Sequence, residues 1–440
     1  MNRLLPSDLT PHEFNSRMSF LLNEVIGRDN IGKIKSKKFN DLLNREDPLA
    51  SIELYTIADA AYKLRNESNS EWFLDFGKAI TRLSDDEISS KAFELISASM
   101  FADYQTVILS DVSQAGYDFV IQNEGVDIRV SCKKLMRSDE HKRFLDECDA
   151  LFSAIGSSQD MLSGNAVQMN LVSEKLYASA KSDVNFAKSK LTDIVQAYGA
   201  NGRKHIVYSL RNSNIAVLPL LPWNDGWSYT ESKLSYVLRV GYKHPSSEQK
   251  RFEDLFRRAA KNLKKHSSAS DKNIVNVIMI GVPEYVSLAT AEKWASAKFN
   301  KDYSSIALAL LYRCVPCRSN DDISSTVISN EFKYVFNPNY ISLTEDMLRK
   351  MALKSTVTFG TISDHDSVIV LVDRNGVTTS YPDYFVYQRG LVNLERPVGE
   401  GDFHVEGQLG VELHIKFVSN DGDICPPLPE RPKQERFAFI

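Results

Sequence analysis

The chain has 440 residues, enough for two or three domains at roughly 100–200 residues each. Its 43% hydrophobic and 25% charged residues are a globular composition, which excludes a disordered, collagenous or coiled-coil protein. Lys and Arg number 53 against 57 Asp and Glu, so a basic nucleic-acid-binding surface has to be local, not global.

Residues 1–84 read as helical. Phe14, Met18, Leu21 and Val25 recur at helical spacing, as do Ile52, Tyr55, Ala60 and Leu64. A short helix with Trp72, Phe73, Phe76 and Ile80 follows the polar stretch 66–70. Asp85 then caps a new helix, with Asp86 and Glu87 in its first turn. From about residue 105 the pattern changes. Residues 106–109 form a short β-rich run and 117–121 (YDFVI) a strand. Asn123, Glu124 and Gly125 signal a hairpin turn into an alternating strand at 128–135.

Residues 139–200 read as mostly helical, with a Ser/Gly-rich break at 156–164. Strands at 205–210 and 214–220 follow, then an amphipathic helix at 247–265 and a fully buried strand at 273–282. A helix at 290–299 and buried strands at 306–312 and 332–336 complete a mixed α/β core. Runs at 356–362, 367–373, 378–388 and 411–418 are strand-like between turn signals, and the tail from 425 is Pro-rich and charged. The expected organisation is an N-terminal helical region over 1–84, an α/β domain with helical insertions over 85–345, and a mostly antiparallel β domain over 346–440.

One constellation carries chemistry. Asp118 opens the strand YDFVI, while Ser131 and Lys133 lie two apart on the next strand and so share a face. Pairing of the two strands brings Asp118 near both. Glu94 lies on the preceding helix beside apolar Ala98 and Phe101, which points it inward. A carboxylate next to a lysine suits phosphodiester hydrolysis. The carboxylate holds Mg²⁺, the metal lowers the pKa of its water, and lysine orients that water or steadies the developing charge. Mg²⁺ needs only one or two carboxylates besides phosphate and water. Taken singly, each residue also has an ordinary use, as a strand-start turn, a solvated strand edge or an exposed helix face.

The stretch 92–135 (AFELISASMFADYQTVILSDVSQAGYDFVIQNEGVDIRVSCKKL) resembles the core of the PD-(D/E)xK nuclease superfamily, the restriction-endonuclease-like fold. That pattern runs helix with Glu, strand, strand starting with Asp, turn, strand with (D/E)xK. Asp118 matches the Asp, Lys133 the Lys and Glu94 the helix Glu. Ser131 stands where the pattern has an acid, giving SCK. Three accounts stay open: Glu94 supplies the missing carboxylate, Ser131 binds metal weakly or through water, or the site is dead and the fold is kept for binding.

The resemblance implies a mixed restriction-endonuclease-like sheet and Mg²⁺- (or Mn²⁺-) dependent hydrolysis of DNA, RNA staying open as a substrate. Asp118 and Glu94 would be the metal ligands, Lys133 would position water, and Ser131 would be a minor ligand. It further implies bacterial restriction or anti-phage defence as the setting, with a partner protein of such a system. The other reading is a catalytically inactive module of the same fold that binds nucleic acid or a partner protein.

Further residues are candidates for phosphate contact. Lys250, Arg257, Lys261 and Lys264 form one stripe of the 247–265 helix, and Lys134 follows the motif. A solvated face is the ordinary alternative, as it is for Lys33, Lys35, Lys37 and Lys38, and for His141 and Ser138 in a loop. Trp223, Trp227, Tyr334 and Phe336 are expected in the core, although they could stack on bases. Cys314 and Cys317 form one CxxC, but structural zinc usually takes two such pairs, so five reduced cysteines of a cytoplasmic protein are expected. No P-loop, G-x-S-x-G or HExxH motif occurs. No apolar run is long enough to span a bilayer and no secretory signal opens the chain.

Overall fold

Helix α1 (Pro11–Phe20) starts at a reciprocal cap: Glu13 N–H donates to Thr10 Oγ1 at 3.2 Å, and Thr10 N–H donates to Glu13 Oε2 at 3.3 Å. The computed structural model to which it belongs describes residues 9–82, 85–103, 105–110, 116–123, 125–157, 167–202, 206–210, 214–219, 228–229, 236–265, 273–299, 303–318, 326–340, 369–372, 378–381, 384–395, 404–408 and 439. The chain continues from α1 through a wider π turn over Leu21–Gly27. Helices α2 (Lys37–Asn44), α3 (Pro48–Lys63) and α4 (Ser70–Arg82) follow. Asp47 caps α3 by accepting the Ala50 N–H at 3.2 Å, with Pro48 in the first turn, where a missing N–H costs nothing. α4 crosses the π turn so closely that a β-carbon on Gly77 would lie 2.1 Å from the Val25 carbonyl oxygen, so the crossing requires glycine.

Helix α5 (Asp85–Ala102) is buried along most of its length, packed between α3 and a sheet. The sheet begins as an antiparallel meander of β1 (Thr106–Leu109), β2 (Phe119–Asn123) and β3 (Val126–Lys134). The β2–β3 hairpin turns at Gly125, whose φ of +80° is the left-handed region that glycine enters freely.

A long excursion follows: α6 (Asp139–Ser157), β4 (Val167–Leu176), α7 (Tyr177–Ser189), α8 (Leu191–Ala200), β5 (Ile206–Ser209), β6 (Asn214–Pro219), β7 (Ser228–Tyr229) and β8 (Tyr236–Lys243). The chain then returns through α9 (Ser246–Lys265), β9 (Ile274–Gly281), α10 (Leu288–Phe299), β10 (Leu308–Arg318) and β11 (Thr326–Phe336). β9 lies parallel to both β3 and β10, and β11 is antiparallel to β10, giving the order β1-β2-β3-β9-β10-β11. The N-terminal helices and α5 cover one face, while α9 and α10 cover the other. β9 is buried on both faces for that reason and apolar apart from Asn276, whose Nδ2 donates to the Ser305 carbonyl at 3.0 Å.

The second sheet has the order β15-β14-β8-β4-β6-β5, built by β14 (Tyr384–Glu395) and β15 (His404–Gln408) together with strands of the excursion, and β7 also pairs with β14. Between β11 and β14, β12 (Ile369–Val372) pairs with β13 (Thr378–Tyr381), and among the described residues with no other strand.

The protein is thus mixed α/β with helices and two mixed sheets. Three expectations change. The stretch 139–200 contains strand β4, whose Met169 and Leu171 are buried through parallel pairing with β8. Of the β domain expected over 346–440, β14 with β15 instead extends the excursion's sheet along the edge of β8, while β12 and β13 pair with each other. The helices of 1–84 form one layer of the first sheet's core, continuous with α5. The expected strands at 356–362 and 411–418, the tail from 425 apart from Phe439, most of the Ser/Gly-rich break, and Trp223 and Trp227 lie outside the described residues. Tyr334 and Phe336, expected in the core, are 42% and 52% exposed, because they lie on edge strand β11 where the helical layer covers only part of Phe332.

Cys314 is buried in β10 and Cys317 lies further along the same strand, so CVPC forms a strand rather than the turn of a zinc knuckle. Pro316 is tolerated there because β9 stops pairing at Tyr312 and leaves that side of the ribbon free of a ladder. Arg313, fully buried, faces Glu331 across the β10–β11 ladder; its Nε donates to Glu331 Oε2 at 2.5 Å and its Nη1 to the Val286 carbonyl at 3.3 Å. No helix among the described residues is long and apolar enough to cross a membrane.

Candidate active site at the β2–β3 opening

β2 stops while β3 runs on. Phe119 pairs with Val130, but among the described residues the next residues of β3 have β9 as strand partner on one side only. Asp118 fills the gap. Its backbone N–H donates to the Val130 carbonyl at 2.8 Å and its carbonyl accepts from Ser110 N–H at 3.0 Å, which locks β1, β2 and β3 at this point. Its carboxylate then takes the place of the missing strand. Oδ2 accepts from Cys132 N–H at 2.6 Å, from Ser131 Oγ at 3.2 Å and from Lys133 Nζ at 3.4 Å. The Lys133 ammonium also donates to the Cys132 carbonyl at 2.6 Å, leaving one of its three N–H groups for another acceptor. Asp118 and Lys133 are partly open to solvent, whereas Ser131 is buried.

Glu94, on α5, is coupled to this opening through charge. Its carboxyl is pushed up to about 8 from an ordinary 4.5, first by burial and then by the negative charge of Asp118; Lys91, one turn back on α5, and Lys133 pull it down. Asp118, Ser131 and Lys133 are thus in contact at the opening, while Glu94 is coupled to them through charge from α5, which packs on the face of β3 opposite Lys133. The Cys132 thiol between them is held well above its usual range by burial, with Asp118 and Glu94 adding to the effect.

This arrangement has a measurable signature. The folded chain keeps a proton on Glu94 up to about pH 8, whereas an unfolded chain releases it near 4.5. Stability contributed by that proton is full below pH 4.5 and is lost as pH rises towards 8. Urea midpoints from pH 5 to pH 9 are expected to show Glu94→Gln without this component, a difference on the order of 2–4 kcal/mol at the alkaline end. Parallel curves for the two proteins would contradict it.

Among the described residues no group of three or more His, Cys, Asp and Glu gathers as a metal cage. Asp118 and Glu94 are oxygen donors of the kind that a hard cation takes while keeping most of its own waters.

The other candidates are placed as follows. Lys134 alternates to the opposite face of β3 from Lys133 and is not a free phosphate contact. Its Nζ donates to Ser89 Oγ at 3.1 Å and to the Phe439 carbonyl at 2.5 Å, and burial brings its ammonium down to about 8 against the opposing pull of Glu53. Lys250, Arg257, Lys261 and Lys264 are exposed on α9, and Arg257 pairs with Asp254 at 2.8 Å. Lys33, Lys35, Lys37 and Lys38 are exposed too, the last two on α2.

His141 and Ser138 are buried, not solvated. Ser138 caps α6 by accepting the His141 N–H at 3.0 Å. The His141 ring stacks on Tyr285 at 4.0 Å, beside Phe385, where the two sheets' units meet, and burial holds it well below its usual range. Two groups escape sequence reasoning. Lys91 tunes Glu94, and Glu53 is buried on α3 among Ile52, Leu54 and Ile57. An acid set directly between Ile52 and Leu54 in an apolar helical stretch is the signal that marks Glu53.

No family model, no curated protein and no solved structure matches the chain.

Proposed function

We propose that the six-stranded sheet is a restriction-endonuclease-like core and that the chain hydrolyses phosphodiester bonds of DNA with a divalent cation, Mg²⁺ or Mn²⁺. The observation that carries this reading is the contact of Asp118 with Lys133 and Ser131 at the opening of the sheet, with Glu94 on α5 coupled to the charge of Asp118. The order of elements adds support: helix with Glu94, strand, strand entered at Asp118, hairpin turn, strand ending in Lys133 and Lys134.

In this reading Asp118 and Glu94 hold the cation. When bound, it lowers the pKa of a coordinated water and neutralises charge on the scissile phosphate. Glu94 gives up its proton to bind, so affinity rises from pH 6 to pH 8. Lys133, anchored by the Cys132 carbonyl and Asp118, points its remaining N–H at the attacking water or at the phosphoryl oxygen. Ser131 donates to Asp118 and so orients a ligand without being one. The exposed stripe of Lys250, Arg257, Lys261 and Lys264 would follow the phosphate backbone and make binding steeply salt-dependent. Restriction or anti-phage defence, alone or with a partner protein, is the setting that the resemblance implies.

Ser131 also favours a second reading. A neutral hydroxyl leaves the site one anion short, which suits a module that binds nucleic acid or a protein and leaves chemistry to others. Nicking of supercoiled plasmid with Mg²⁺ or Mn²⁺ separates the two. The wild type is expected to cut, and Lys133→Ala is expected to cut about 10²–10³-fold more slowly while still folding. A wild type that binds DNA but cuts neither DNA nor RNA in any form would favour the binding module.

A further inference from the structure

Four elements converge on a single residue far from them in sequence. Phe439 is 1% exposed, and its ring lies 5.8 Å from that of Phe39 on α2. Its N–H donates to Glu53 Oε1 of α3 at 2.5 Å. Its carbonyl accepts from Lys134 Nζ of β3 at 2.5 Å and from Ser89 Oγ of α5 at 3.3 Å. Glu53 is fully buried, and an acid and an ammonium in such a place cost far too much unless each is bonded. Here the peptide groups of one phenylalanine are bonded to both. The slot thus recognises a backbone N–H, a backbone C=O and an aromatic side chain together. That is the chemistry of a peptide-binding site, filled by the chain itself.

Its location gives it a purpose. Lys134 adjoins Lys133 on β3, and Ser89 lies little more than one turn before Glu94 on α5. Phe439 ties these two elements together beside the carboxylate pair. The preceding described residues, ending at Gln408, belong to the other sheet. We propose that the Glu53–Ser89–Lys134 slot is a docking site for a phenylalanine-bearing peptide segment, that Phe439 occupies it as a latch, and that engagement of the latch holds α5 against β3 at the spacing that lets Glu94 and Asp118 share a cation. The last clause rests on the nuclease reading, whereas the docking does not.

The test uses the full-length chain with Phe439→Ala, alongside Phe439→Leu, which keeps an apolar group in the slot. Hydrogen exchange reads the latch directly. Phe439→Ala is expected to lose tenfold or more of the amide protection in α5 and the end of β3, with the second sheet unchanged. Mn²⁺ affinity, read by calorimetric titration, is expected to fall tenfold or more. Phe439→Leu should recover most of both, and a synthetic RPKQERFAFI peptide added to Phe439→Ala should restore both, while RPKQERFAAI should not.

Unchanged protection in α5 and β3 would overturn the proposal, and so would a loss spread evenly over both sheets. A wild type that neither binds Mn²⁺ nor cuts nucleic acid would remove the nuclease reading, while the exchange arm would still decide the docking.

Discussion

Replacing Asp118 by asparagine is expected to lower Mg²⁺-dependent DNA cleavage by about 10³-fold or more, with the fold intact. The change removes one of the two anions at the site, and each decade of rate corresponds to about 1.4 kcal/mol of the several that a cation supplies. Asparagine keeps an oxygen where the Cys132 N–H and Ser131 Oγ need an acceptor, so β3 stays in place. Alanine does not. It leaves the Cys132 N–H without its partner and adds a stability loss of about 1–3 kcal/mol to the loss of activity. Initial rates of plasmid nicking, with thermal melts of both variants, separate the two effects. Asparagine cutting within tenfold of the wild type would remove Asp118 from the chemistry.

The largest effect on stability belongs to the Arg313–Glu331 pair. Both residues are buried and directly opposed on β10 and β11. Glu331→Ala removes the carboxylate that accepts from the Arg313 guanidinium in the interior, and the expected cost is about 3–5 kcal/mol. Replacing both residues with apolar ones of similar volume should recover most of that, because the desolvation of two charges disappears with them. Urea denaturation of the single and double variants measures the difference. A Glu331→Ala midpoint close to the wild type would mean that water reaches Arg313 in solution.

Local physics made the site region legible. The alternation in YDFVI and IRVSCKKL and the turn at Gly125 are short-range signals, and they place Asp118 beside Ser131 and Lys133 through one hairpin. The inward lean of Glu94 follows from Ala98 and Phe101 on its helical face. What stayed hidden depends on distant partners. β4 reads as helix until β8 is set beside it, since its burial comes from a parallel neighbour some seventy residues on. Nothing near residues 384–408 in sequence says that they complete a sheet begun at 167. The face to which Lys134 belongs follows from simple alternation with Lys133, but its partner, Phe439, is known only from the fold. Ser131 is the instructive residue: its type reads as a missing ligand, while its geometry is that of a donor to Asp118.

The two sheets interlace along the chain. About 140 residues separate the end of β3 from its neighbour β9, and about as many separate β8 from β14. No single cut divides the protein into halves that each own a complete sheet. A ribosome that has just released β3 must extrude the whole excursion before the strand's second edge is covered, so pairing is late and folding slow. The same threading means that a protease nick in one connection leaves the pieces held by ladders on both sides. Limited digestion should therefore yield fragments that part only in denaturant.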